Sequence, residues 1–144
     1  VLSRLGTVKF TKVAMQPGMP QGHGTLGPDL TPIFTLPGNP VSAYVSFEVF
    51  VRPVIRRMLG HERIYRPVVR AVLAEPLASP VGKRQFARGH LEVEEGRYVV
   101  RPAGGQGSHM LGALAKANAL VVVPEDVTEV KPGTAVAVLR LDEG

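Results

Sequence analysis

Proline and glycine interrupt this chain so often that little of it can form long regular elements: thirteen prolines and sixteen glycines fall within 144 residues. Proline lacks an amide hydrogen and glycine is costly to order, so the pattern favours short strands and turns over a helical bundle. One segment stands apart. From Asn39 to Gly60, Phe47, Val51, Val54 and Met58 recur at three- and four-residue spacing. That predicts a helix with these residues on one face, Arg52, Arg56 and Arg57 pointing elsewhere, and Gly60 as its end. Pro53 lies inside it and predicts a kink with one lost backbone bond.

Before that helix, Val1-Leu2-Ser3-Arg4-Leu5-Gly6 reads as the last turn of a helix stopped by glycine, as though cut from something longer. Alternation from Thr7 to Met15 predicts a strand. Gln16 to Gly24 is too rich in glycine and proline to be expected as an element of its own. After the Gly27-Pro28-Asp29 turn, Pro32–Leu36 reads as a short buried strand.

Beyond Tyr65 the texture changes. Residues 66–73, 85–93, 97–102, 120–123 and 134–141 are strand-like, with turns at Glu95-Gly96 and Lys131-Pro132-Gly133. Only Ser108 to Lys116 looks helical. Five short strands in some 80 residues predict a small barrel or sandwich. The expected organisation is therefore 1–63, the carboxyl-terminal portion of an α/β domain, and 64–144, a small all-β domain.

Charge narrows the partners. The net charge of +5 sits mainly in residues 1–64, with seven Lys/Arg against three Asp/Glu; residues 65–144 hold ten against nine. A basic excess suits an anionic ligand. Dense basic runs are absent and aromatics make up only 6 %, which argues against nucleic acid. The apolar run Ala117–Pro124, interrupted by Asn118, is too short to cross a bilayer. Without cysteine, neither a disulfide framework nor a thiolate metal site can form, so a cytoplasmic location is expected.

The strongest local signal is Leu36-Pro37-Gly38-Asn39-Pro40-Val41-Ser42-Ala43. A strand runs into a turn, Asn39 is a good N-cap and Pro40 suits the first helical position. The free N–H groups of a first turn and the helix dipole favour phosphate or carboxylate. Ser42 has no nucleophile elbow and no His or acid partner, so it is not read as a nucleophile. The glycines of the Gln16–Gly24 loop would let backbone approach a ligand, with Lys12 leading in. Gly104–Ser108 is a second glycine-rich run, with Ser108 as a plausible helix cap, and Arg88 before Gly89 at a strand turn could grip phosphate as a fork. His23, His61, His90 and His109 lack metal-ligand spacing, and no carboxylate pair suggests acid–base catalysis. These are binding features without a catalytic engine.

Taken in order, Val8–Gly24 with Gln16-Pro17-Gly18-Met19-Pro20, Phe34–Gly60 with Leu36–Ala43, Phe86–Gly89, and Gly105–Pro124 with Gln106-Gly107-Ser108-His109 resemble the carboxyl-terminal part of the molybdopterin molybdenumtransferase family, to which gephyrin also belongs. The resemblance implies the end of an α/β molybdopterin-binding domain followed by a small β-barrel. It implies adenylylated molybdopterin and molybdate as substrates, AMP as leaving group, Mg²⁺ as the assisting metal, and a homodimer with its site between subunits. Lys12, Pro37, Pro40, Arg88 and Ser108 match positions implicated in the family's site. Many members carry lysine where this chain has Gln16 and Met19, which weakens anion binding in this loop or shifts it to Lys12 and Arg88.

The candidate substrate-binding residues are thus Lys12, Pro17, Gly18, Pro37, Gly38, Asn39, Pro40, Ser42, Arg88, Gln106 and Ser108; no catalytic residue and no metal ligand is assigned. The resemblance implies a molybdenum-inserting enzyme in cofactor biosynthesis when full length, with this chain alone expected to be inactive. The alternative is a non-catalytic molybdopterin-binding or scaffolding module.

Overall fold

A computed structural model describes residues 1–104 and 117–143. A single turn, α1 (Leu2–Leu5), opens the chain, and Gly6 after it is extended and bridges to Leu26 rather than forming a left-handed stop. The strand expected over 7–15 is two: β1 (Lys9–Lys12) and β2 (Met15–Gln16). The segment expected to be a loop contains β3 (Pro20–Leu26), the middle strand of an antiparallel sheet ordered β1, β3, β4, where β4 is Thr31–Thr35. Its glycines mislead because they read as breakers. Here they sit where strands approach too closely for a side chain: a Cβ on Gly24 would lie 2.6 Å from the Val8 Cα, and one on Gly22 would strike the Thr35 hydroxyl. β4 is not the buried strand expected; Thr31 and Pro32 are exposed because β4 forms the sheet's edge.

The long helix is present in three parts: α2 (Pro40–Ser46), a π-helical turn at Phe47–Val51, and α3 (Arg52–Met58). The Arg52 N–H reaches back five residues to the Phe47 carbonyl, just ahead of Pro53, which has no N–H to give. The extra residue in that turn shifts the helix phase. Val41, Val45, Glu48 and Arg52 are buried, whereas Phe47 and Met58 are exposed, so the face expected from simple periodicity is not the buried one. Arg52 turns inward with it.

Residues 60–67 lead without regular structure into the second part. It comprises β5 (Val68–Leu73), β6 (Leu77–Ala78), β7 (Arg84–Glu94), β8 (Arg97–Pro102), β9 (Ala119–Val123), β10 (Glu129–Val130) and β11 (Ala135–Arg140). β7, β8, β5, β11 and β9 pair in that order and β9 returns to β7, closing a five-stranded barrel. The five strands correspond to those read from the sequence. The β7–β8 hairpin turns at Glu95-Gly96, both with positive φ, as a type I′ connection requires. Inside, Ala71, Leu73, Ala87, Val100, Val121 and Val138 make an apolar core.

A second core joins the two parts. Met15, Val45 and Leu120 are buried together, with Val13, Val49, Phe50, Phe86, Leu139 and Leu141 packed around them. β2 adds to β7 in parallel, Met15 opposite Arg84 and Gln16 opposite Gln85. One side of the barrel's outer face is thus covered by the first part of the chain.

Candidate functional site

The strand-to-helix junction has the cap expected of it. The Val41 N–H donates to the Asn39 Oδ1 at 3.2 Å, and the Ala43 N–H starts the helical ladder on the Asn39 carbonyl at 2.8 Å. Pro40 occupies the first helical position. This corrects one expectation. With no N–H on Pro40 and that of Val41 held by Asn39, two of the first turn's positions offer a ligand no donor. The junction is a weaker backbone anion site than its sequence suggests. Ser42 itself is buried on the helix's inner face.

Lys12 and Pro37, distant in sequence, line one groove of about 340 Å³ together with Phe10, Pro20, Gln21 and Leu36. Lys12 ends β1 opposite Pro20, and Pro37 leaves β4 on the other side of β3. Gly38, Asn39 and Pro40 continue from this groove into α2. The structure therefore brings together Lys12 and the junction, two features read separately from the sequence.

Pro17 and Gly18 do not face this groove. Both are buried, and Gly18, with φ +98, lies against the helix at Ser46. Its carbonyl accepts from the Gln21 Nε2 at 2.6 Å, which also donates to the Ser46 Oγ at 2.6 Å. A Cβ on Gly18 would lie 2.6 Å from that hydroxyl. Gly18 docks the loop on α2. The sequence reading missed Gln21 and Ser46. Ser46 had a faint signal, lying one turn after Ser42 on the same face; Gln21 had none, because its role depends on a contact 25 residues away.

Arg88 is not at a turn and does not line the groove. It lies in the middle of β7, paired with Leu120, and is 1 % exposed. Burial lowers its pKa below the ordinary arginine value. By alternation it shares the outer face of β7 with Phe86, the face the helix packs on. Its carbonyl accepts from the Ala103 N–H, and that of Gly89 accepts from the Asn118 N–H. The chain thus leaves β8 and re-enters β9 beside Arg88. Gln106, Ser108 and the helix expected over 108–116 lie outside the described residues.

A further cluster was not anticipated. The Glu48 carboxylate is 6 % exposed and accepts two hydrogen bonds from Arg66, Nε to Oε2 at 2.8 Å and NH2 to Oε1 at 3.1 Å. Arg52 approaches it at 3.9 Å. The hydrogen bond to Glu48 raises the Arg66 pKa, while burial lowers that of Arg52. Nothing in the local pattern of Glu48 reveals a partner 18 residues on. Among the described residues, no group of three or more His, Asp or Glu is placed to hold a metal.

Comparison with known proteins agrees with this architecture. A family described as "Probable molybdopterin binding domain" matches residues 1–57, and "MoeA C-terminal region (domain IV)" matches residues 70–141. Molybdopterin molybdenumtransferase 2 of Mycobacterium tuberculosis (strain ATCC 25618 / H37Rv) is 54 % identical over 134 residues, covering 93 % of this chain and 32 % of that protein. Molybdopterin molybdenumtransferase 1 of the same strain is 46 % identical, covering 98 % and 34 %. The crystal structure of a molybdopterin biosynthesis moea protein from Pyrococcus horikosii superposes with a TM-score of 0.81 at 31 % identity, covering 99 % of this chain and 34 % of that one. The chain spans about a third of the length of these relatives. An α/β portion that matches the molybdopterin-binding model, followed by a barrel that matches the MoeA terminal region, places this chain in the molybdopterin molybdenumtransferase family.

Proposed function

We propose that the chain acts in molybdenum cofactor biosynthesis, as the molybdopterin-holding part of a protein that inserts molybdate into adenylylated molybdopterin with release of AMP. The observation that carries this reading is the groove where Lys12 meets Pro37, the first residue of the strand-to-helix junction. It presents the exposed Lys12 ammonium beside Pro37, an arrangement suited to a charge-assisted bond to a phosphate oxygen. Arg88, buried on the barrel outside this groove, is the second cationic residue of this reading. Turnover belongs to the whole protein, acting as a cytoplasmic homodimer, and the chain by itself binds without inserting molybdenum. No helix among the described residues is long and apolar enough to cross a membrane.

Mg²⁺ is the metal of this reading, yet the groove lining offers it no carboxylate. The described residues do not fit a divalent cation, and no step here runs through one.

Calorimetric titration of adenylylated molybdopterin into the purified chain tests the proposal. Binding is expected, weakened about tenfold or more in Lys12→Ala because a charge-assisted bond is lost. The melting temperature should not move, since the Lys12 side chain is exposed. A wild-type chain that binds nothing, or a Lys12→Ala variant of unchanged affinity, removes the reading.

A further inference from the structure

The two candidate binding elements sit on different parts of the chain: the capped junction at the start of the helix, and Arg88 on the barrel. Among the described residues, three kinds of contact set how these parts meet. The shared core around Met15, Val45 and Leu120 is apolar, and apolar attraction has no direction. The β2–β7 pairing is only two residues long. The remaining contact is the Glu48 cluster, which is directional because a guanidinium fork and a carboxylate are both planar.

Arginines from the helix and from the connection at residues 60–67 gather there. Arg66 grips Glu48 through Nε and NH2, and its NH1 donates to the Glu143 carbonyl at 2.6 Å, so one side chain ties helix, connection and chain end. Arg52 faces Glu48 and donates to the Ile64 carbonyl at 3.3 Å. Arg56 donates to the Arg63 carbonyl at 2.8 Å. Tyr44, one turn before Glu48, lies close enough for that carboxylate to raise its pKa. A buried carboxylate with several partners is a poor device for stability alone, because desolvation offsets much of its attraction; its attested use is to select one arrangement.

We propose that Glu48 is a positioning residue: its carboxylate, gripped by Arg66, sets the orientation in which the barrel presents Arg88 to the helix that begins at Asn39. The link to substrate rests on the function proposed above, whereas the link to orientation does not.

The chain has no cysteine, so two introduced thiols can be labelled cleanly. Arg57→Cys on the helix and Val93→Cys on β7, both exposed, carry nitroxides for a pulsed electron–electron distance measurement. One narrow distance distribution is expected in the otherwise wild-type chain. Glu48→Gln and Arg66→Ala should each broaden or shift it while the far-ultraviolet spectrum stays native, and Arg66→Lys should restore it in part. Titration with adenylylated molybdopterin should show at least a fivefold loss of affinity in Glu48→Gln. If the wild-type chain binds no molybdopterin, the functional reading fails while the distance result still decides the orientation. Unchanged distance distributions in folded Glu48→Gln and Arg66→Ala overturn the proposal. So does failure of both variants to fold, which would make the cluster a support of the fold itself.

Discussion

The side-chain amide of Asn118 hydrogen-bonds Leu91 twice, accepting from its N–H at 2.7 Å and donating to its carbonyl at 3.0 Å. It does what a strand residue would do, extending the β7–β9 ladder one step past Gly89 and Ala119, where the backbones part. In the sequence it looked like an interruption of an apolar run. Asn118→Leu removes both bonds and leaves the partly buried Leu91 groups unpaired, which should cost about 1–3 kcal/mol. Asn118→Asp keeps the acceptor but turns its other oxygen on a carbonyl, and should also destabilise. Urea denaturation of the three proteins checks this; an undiminished midpoint in Asn118→Leu would show that water replaces the amide.

The shared core makes a second prediction. Leu120 is fully buried on the barrel's outer side against Met15 and Val45 of the first part. Leu120→Ala should cost about 2–5 kcal/mol, as such truncations do when the site cannot collapse. Because that contact belongs to both parts, the chain should melt in one transition whether followed by far-ultraviolet circular dichroism or by tyrosine fluorescence. Two separated melts would mean the parts are energetically independent.

Arg88, read from the sequence as a phosphate-gripping residue at a strand turn, is instead buried in the middle of β7. Arg88→Ala should lower stability by about 2–4 kcal/mol through the void left by its stem and head group. Arg88→Lys keeps most of the stem but not the planar fork. If Arg88 serves the substrate as well, the lysine variant should lose affinity for adenylylated molybdopterin out of proportion to its smaller loss of melting temperature. Equal loss of both assigns Arg88 to the barrel alone.

Tyr44 supplies a pH dependence. Burial first, then the negative charge of Glu48, raise its pKa above the ordinary value of 10.0, against an opposing pull from Arg66. The folded chain therefore holds the Tyr44 proton more tightly than the unfolded chain. The resulting stability is intact below pH 10.0 and is lost as pH rises from there through the raised folded value. Melting temperatures from pH 8 to about 11 should fall more steeply for the wild-type chain than for Tyr44→Phe. Parallel curves would exclude the effect.

What the sequence determined by itself was local. Asn39 and Pro40 capped a helix because an N-cap acts within three residues, and the barrel strands were legible because alternation and turn chemistry are short-range signals. Tertiary structure decided everything that depended on contacts between distant residues. The glycines of β3 marked close strand packing, the π turn before Pro53 moved the buried face of the helix, and Arg88 proved to be interior. Glu48 and Arg66 are 18 residues apart, Lys12 and Pro37 further still. No periodicity links such pairs, because a hydrogen bond or a shared groove depends on where the fold brings two side chains, and only the packed chain defines that place.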